Sequence, residues 1–133
     1  MRLVSEAGNE HQALFAVLRF DERGLIPVLL EDFRSRKSLA CEMMTREALQ
    51  KTLETRLVHV PHPQTGELVL RGGYNRRARV EGILIECEGR CLVFRVFQHI
   101  GACHKGYASC FHRGYDFNHR QVVTLEDVVF KGD

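Results

Sequence analysis

Long apolar stretches are missing from this 133-residue chain. No run approaches the roughly eighteen residues that a membrane span needs, and the opening MRLVSEAGNEHQ lacks the apolar core of a secretory signal. A cytoplasmic protein with no membrane partner is therefore expected. A strong charge of one sign is also absent: nineteen Lys and Arg face seventeen Asp and Glu, for a formal +2. That balance is too even to imply a nucleic-acid partner from bulk electrostatics. Internal repeats, low-complexity tracts and linkers are missing as well, so residues 1–133 read as one domain, long enough to bury a core without disulfides.

Short runs of Val, Leu and Ile make up most of what is there. ALFAVLRF (13–20) and LIPVLLED (25–32) read as strands divided by the turn DERG. Pro27 cannot donate to a ladder, which puts the second strand at an edge or starts it there. LACEMM, LVHV, LVLRG, RVEGILIEC and CLVFRVFQ continue the strand pattern, with Glu88-Gly89-Arg90 as a hairpin turn between the last two. MTREALQKTLET has the helical period instead: Thr45 is placed to cap it, Glu47 suits the positive end, and Met44 can staple onto Leu49. VVTLEDVVF fits either a short helix capped by Thr124 or a strand.

Five cysteines in a reducing compartment are buried, metal-bound or reactive rather than cross-linked. Cys87, Cys103 and Cys110 are separated by sixteen and seven positions, none of them the short C-x-x-C gap. Three converging thiolates can hold Zn²⁺ and leave a fourth position for water, whose pKa the metal lowers; three buried small side chains are the bland alternative. Cys41 and Cys91 are assigned to burial, with Cys91 near enough to Cys87 across the hairpin to serve as a spare ligand or oxidation partner. His104, beside Cys103, either moves protons at such a site or caps a turn. His59 and His112 are weaker candidates. Glu86 and Glu88 share one face of a strand, opposite Cys87, where they suit a hard cation such as Mg²⁺ or simply face water. Arg71, Arg76, Arg77 and Arg79 lie in RGGYNRRAR, a loop that can hold a phosphate, contact nucleic acid or remain solvated.

FDERGLIPVLLED, MTREALQKTLET, IECEG and GACHKGYASCFHR, in that order, resemble the phosphoribosyl-AMP cyclohydrolase family of histidine biosynthesis over residues 19–113. The most specific element is the Cys-His-x-Gly-x-x-Ser-Cys-Phe run from Cys103 to Phe111. The resemblance implies a compact α+β fold, mostly antiparallel β with one or two short helices, assembled as a homodimer. It further implies a zinc held by Cys87, Cys103 and Cys110 drawn from both subunits, with His104 handling protons. The activity implied is addition of water to C6 of the purine ring of N1-phosphoribosyl-AMP or a related cyclic amidine nucleotide.

Several segments depart from the family. Its D-C-D-x-D magnesium motif is Glu86-Cys87-Glu88-Gly89-Arg90 here, with a cation in place of the third acid. A tryptophan and a Ser-Arg-Ser-Arg segment after His59 are replaced by VPHPQTG, and the chain has no tryptophan. Lys-Gly-Glu-Thr-Ser-Gly-Asn is replaced by RGGYNRR, leaving Arg71, Arg76, Arg77 and His59 as the substrate-side candidates. Thr45 and Tyr107 also differ from the family's asparagine and arginine. A non-catalytic zinc-binding paralogue with a binding or regulatory role is therefore the alternative expectation, with a nucleotide- or RNA-binding module a distant third.

Overall fold

The computed structural model describes residues 10–133. The first nine positions lie outside the described residues. The chain folds as an α+β unit built on a four-stranded sheet with spatial order β2-β1-β6-β5, formed by β1 (Leu25–Asp32), β2 (Ser38–Thr45), β5 (Ala78–Ile85) and β6 (Leu92–Gln98). Neighbours are antiparallel except the central β1–β6 pair, which is parallel from Val28↔Leu92 to Asp32↔Val96.

Strand alternation dictates which face is inside. Ile26, Val28 and Leu30 of β1 and Leu92, Phe94 and Val96 of β6 are fully buried, and they line one face together with Ala40, Met44 and Val80. Helix α2 (Arg46–Thr55) covers that face by burying Ala48 and Leu49, and it follows β2 directly. Its start is cut as the sequence predicts: Thr45 Oγ1 accepts a hydrogen bond from the Ala48 amide at 3.1 Å, satisfying one of the free N–H groups of the first turn. Thr52, buried inside α2, donates its hydroxyl to the Ala48 carbonyl and accepts from the His59 amide at 2.9 Å. That contact fastens the helix to β3 (His59–Pro61), which pairs with β4 (Leu68–Leu70) in a small second sheet.

Three expectations change. The segment 13–20 is not a strand; Gln12–Val17 forms a short helix, α1, with Phe15 turned into the core. After it the chain docks on the β5–β6 turn, where the Arg19 amide donates to the Gly89 carbonyl at 2.8 Å. Gly89 is required there: its φ is +75°, and a Cβ would meet the Val17 carbonyl oxygen at 1.9 Å. Second, β1 is a central strand beginning at Leu25, not an edge strand or one starting at Pro27. Pro27 is tolerated because the β6 ladder begins one residue later, at Val28. Third, the tail resolves as β8 (Gln121–Thr124), paired with β7 (Arg113–Asp116), and Thr124 caps no helix. Residues 125–133 then return as an irregular strap over the segment that follows β6.

Candidate functional site

The segment from His99 to Cys110 has no helix or strand, yet it is tightly tied. Ala102 donates its amide to the Ala108 carbonyl at 2.9 Å and Cys103 donates to Tyr107 at 3.1 Å, folding the chain back on itself. Gly106, with φ +101°, closes the turn by donating to the Cys103 carbonyl at 2.9 Å. Its missing side chain leaves room for the strap: a Cβ would lie 2.5 Å from the Phe130 carbonyl oxygen. Ser109 is fully buried and donates its hydroxyl to the Ser38 carbonyl at 2.6 Å, while the Cys110 amide donates to Leu39 at 2.7 Å. The glycine and serine of the Cys-His-x-Gly-x-x-Ser-Cys run thus make the turn and anchor it to β2.

The fold-back brings two of the three expected thiols together. Cys103 and Cys110 border one cleft, and burial pushes the Cys110 thiol up, the Arg71 guanidinium opposing and the Cys103 sulfur adding to the shift. Cys103 is buried and His104, the next residue, is exposed. All three line a cleft of about 330 Å³. The same cleft is lined by Lys105, Tyr107, His112 and Arg113, and among the described residues no carboxylate borders it. Tyr107 and His112 stack with centroids 3.6 Å apart and planes 3° from parallel. His112 Nδ1 donates to the Ser109 carbonyl at 3.1 Å, which leaves Nε2 as the free acceptor.

Cys87 is elsewhere. It is exposed in the turn that precedes β6, whereas Cys103 and Cys110 lie in the segment that follows β6. Among the described residues no group of three or more His, Cys, Asp or Glu side chains is placed to hold a metal ion. Of the three candidate thiols, two therefore border the cleft and the third is exposed at the other end of β6.

Glu86 and Glu88 do not share a strand face opposite Cys87, because β5 ends at Ile85 and the alternation ends with it. Glu86 bends into the turn instead and accepts from the amides of Glu88 (3.1 Å) and Arg90 (3.0 Å) and from the Cys87 thiol (3.2 Å). The Arg90 amide, then the Cys87 thiol, hold its carboxyl below the usual range, and the carboxylate in turn raises the Cys87 thiol. Glu88 pairs with Arg90 Nη2 at 2.8 Å. Both carboxylates are thus engaged within the turn itself.

The arginines divide. Arg71 and Arg76 are turned inward, with side chains 11% exposed in each case. Arg71 reaches Glu42, the Ala102 carbonyl and Cys110, while Arg76 pairs with Asp133 at 2.7 Å beneath the Phe130 ring. Arg77 lies over Tyr74 at 4.1 Å. His59 uses Nδ1 to donate to the Leu57 carbonyl at 2.8 Å, beside the end of α2. Cys41, assigned to burial from the sequence, is exposed, and Cys91 is half-buried. Lys105, Tyr107 and Arg113 line the cleft as well, and the only sign of this in the sequence is their closeness to Cys103 and Cys110.

The sequence model of the phosphoribosyl-AMP cyclohydrolase family matches residues 41–112. A phosphoribosyl-AMP cyclohydrolase of Prosthecochloris aestuarii is 35% identical over 111 residues, 83% of this chain and 81% of that protein. One from Methanothermobacter thermautotrophicus is 38% identical over 106 residues, covering 79% and 75% respectively. One from Haloarcula marismortui is 40% identical over 114 residues, covering 84% and 95%. No helix among the described residues is long and apolar enough to cross a membrane.

Proposed function

The chain belongs to the phosphoribosyl-AMP cyclohydrolase family, and on that premise we propose that it is a zinc-dependent hydrolase that adds water to C6 of the purine ring of N1-phosphoribosyl-AMP or a related cyclic amidine nucleotide. It would serve histidine biosynthesis in the cytoplasm, where thiols stay reduced and free to bind metal. The observation that carries this reading is the meeting of Cys103 and Cys110 beside His104 in a cleft bordered by cations and, among the described residues, by no carboxylate. Soft thiol donors suit Zn²⁺. Two of them in one chain are too few for a closed site, and Cys87 is exposed at the far end of β6. In a homodimer, the partner's Cys87 would complete the set.

Zinc so held would supply Lewis acidity to activate water at neutral pH. The remaining chemistry falls to side chains. The ribosyl group on N1 leaves the ring cationic and C6 electrophilic, so oxygen adds at C6 and the C6–N1 bond breaks. N1 departs as an amidine nitrogen still bonded to C2, and C6 with its exocyclic amine becomes a carboxamide. His104 removes the proton from the attacking oxygen and returns one to N1 as that bond opens. The Tyr107–His112 stack offers a flat apolar wall for the base. Lys105 and Arg113 offer charge for phosphate, with Arg77 an outer contributor, while Arg71, Arg76 and His59 hold the surrounding walls.

The test is zinc content and turnover together. Purified protein should carry about one zinc per chain and should open the ring of N1-phosphoribosyl-AMP, read by absorbance. Cys103→Ala should abolish both. Zinc without turnover in the wild type, together with failure to complement a histidine auxotroph, would favour the non-catalytic paralogue. A zinc-free, folded wild type would overturn the metal assignment.

A further inference from the structure

Arg71 follows β4 and is fixed by its own amide, which donates to the Val58 carbonyl at 2.9 Å. Its guanidinium faces three partners at once. Nε donates to the Glu42 carboxylate on β2, Nη1 to the Ala102 carbonyl at 3.1 Å, and Nη2 lies 3.9 Å from Cys110 Sγ. The second partner is the residue before Cys103, and the third is the other thiol of the cleft. One planar, rigid fork therefore touches both arms of the fold-back that carries the two sulfurs.

We propose that Glu42 and Arg71 form a positioning pair for the metal centre, with Arg71 aiming and hydrogen-bonding the Cys110 sulfur while tethering the Cys103 arm, and Glu42 fixing the guanidinium. The inference rests on the zinc reading above. A buried cation needs an anion beside it, and Glu42 supplies that from outside the cleft, where it borders a separate groove with His62. The sulfur gains a charged N–H donor, which metal thiolates use to disperse their negative charge. With each guanidinium nitrogen already engaged, Arg71 is built to hold a ligand in place more than to greet an incoming phosphate.

The test uses the full-length protein with Zn²⁺ and Co²⁺ as probes. Zinc affinity is read by competition with a chromophoric chelator, and sulfur-to-cobalt charge-transfer absorption reports the thiolates directly. Arg71→Met and Glu42→Gln should each weaken zinc binding about 10–100-fold and shift or diminish the cobalt band. Arg71→Lys, which keeps the charge but loses the fork, should recover only part of the affinity. If Arg71→Met does not fold, Arg71→Lys and Glu42→Gln carry the comparison. Folded variants with wild-type zinc affinity and an unchanged cobalt spectrum would overturn the pair's role while leaving the zinc reading intact. A wild type that takes up neither metal would overturn both.

Discussion

Asp32, at the end of β1, has one oxygen that accepts from the amides of Ser35 (2.8 Å) and Arg34 (3.1 Å) and from the Ser35 hydroxyl (3.0 Å). The Ser35 amide is the main reason its carboxyl lies below the ordinary value, against a smaller opposing effect of burial. A depressed folded-state pKa gives stability that is complete above the unfolded value, about 3.9, and fades as the pH falls through the folded one. Asp32→Asn should therefore be less stable than wild type at neutral pH, with the gap closing toward strong acid. Urea midpoints across a pH series measure this, and a gap constant with pH would contradict it. At this scale the sequence is eloquent where chemistry is local. Cys103, His104, Gly106, Ser109 and Cys110 are adjacent in the chain, so their cooperation could be read directly. Arg71's service to Cys110 could not, since thirty-nine positions separate them and only folding brings them together.

Among the elements, α2 carries its own boundary signals. The Thr45 cap should contribute about 1 kcal/mol, so Thr45→Ala is expected to lower the unfolding free energy by that amount, with Thr45→Asp close to wild type. Chemical denaturation reads both, and an Ala variant as stable as wild type would remove the cap from the account. Helix α1 has no such signals: its His11 cap position makes no side-chain hydrogen bond. Its Phe15 ring lies under the Arg46 guanidinium at 4.5 Å, and the chain beyond it rests on Gly89. Both partners are distant in sequence, so the apolar run alone resembled a strand. The β5–β6 turn was legible from Glu88-Gly89-Arg90, but not the strand's early end at Ile85. That end released Glu86 and Glu88 from the alternation expected of them.

At the level of the whole molecule, the separation of Cys87 from the other two thiols turns a dimer into a testable requirement. If each zinc takes Cys87 from the partner, Cys87→Ala and Cys110→Ala proteins should each fail to bind zinc alone. Refolded together in equal amounts they should recover about a quarter of the wild-type sites, because half the dimers are mixed and each of those has one intact set. Metal analysis of the mixture gives the answer, and no recovery would mean that the thiols do not assemble across a symmetric interface.

The parallel pairing of β1 with β6 joins strands sixty-four residues apart. During synthesis β1 can zip to β2 and receive α2 early, but its other edge waits until residues 92–98 leave the ribosome. For that interval the growing chain displays an unfinished sheet margin, a natural docking place for chaperones and a hazard for aggregation. Closure of a loop this long before its contacts are gained also slows folding relative to a hairpin of equal size. Substitutions that weaken β6 should therefore reduce soluble yield in cells more than their effect on the finished protein would suggest.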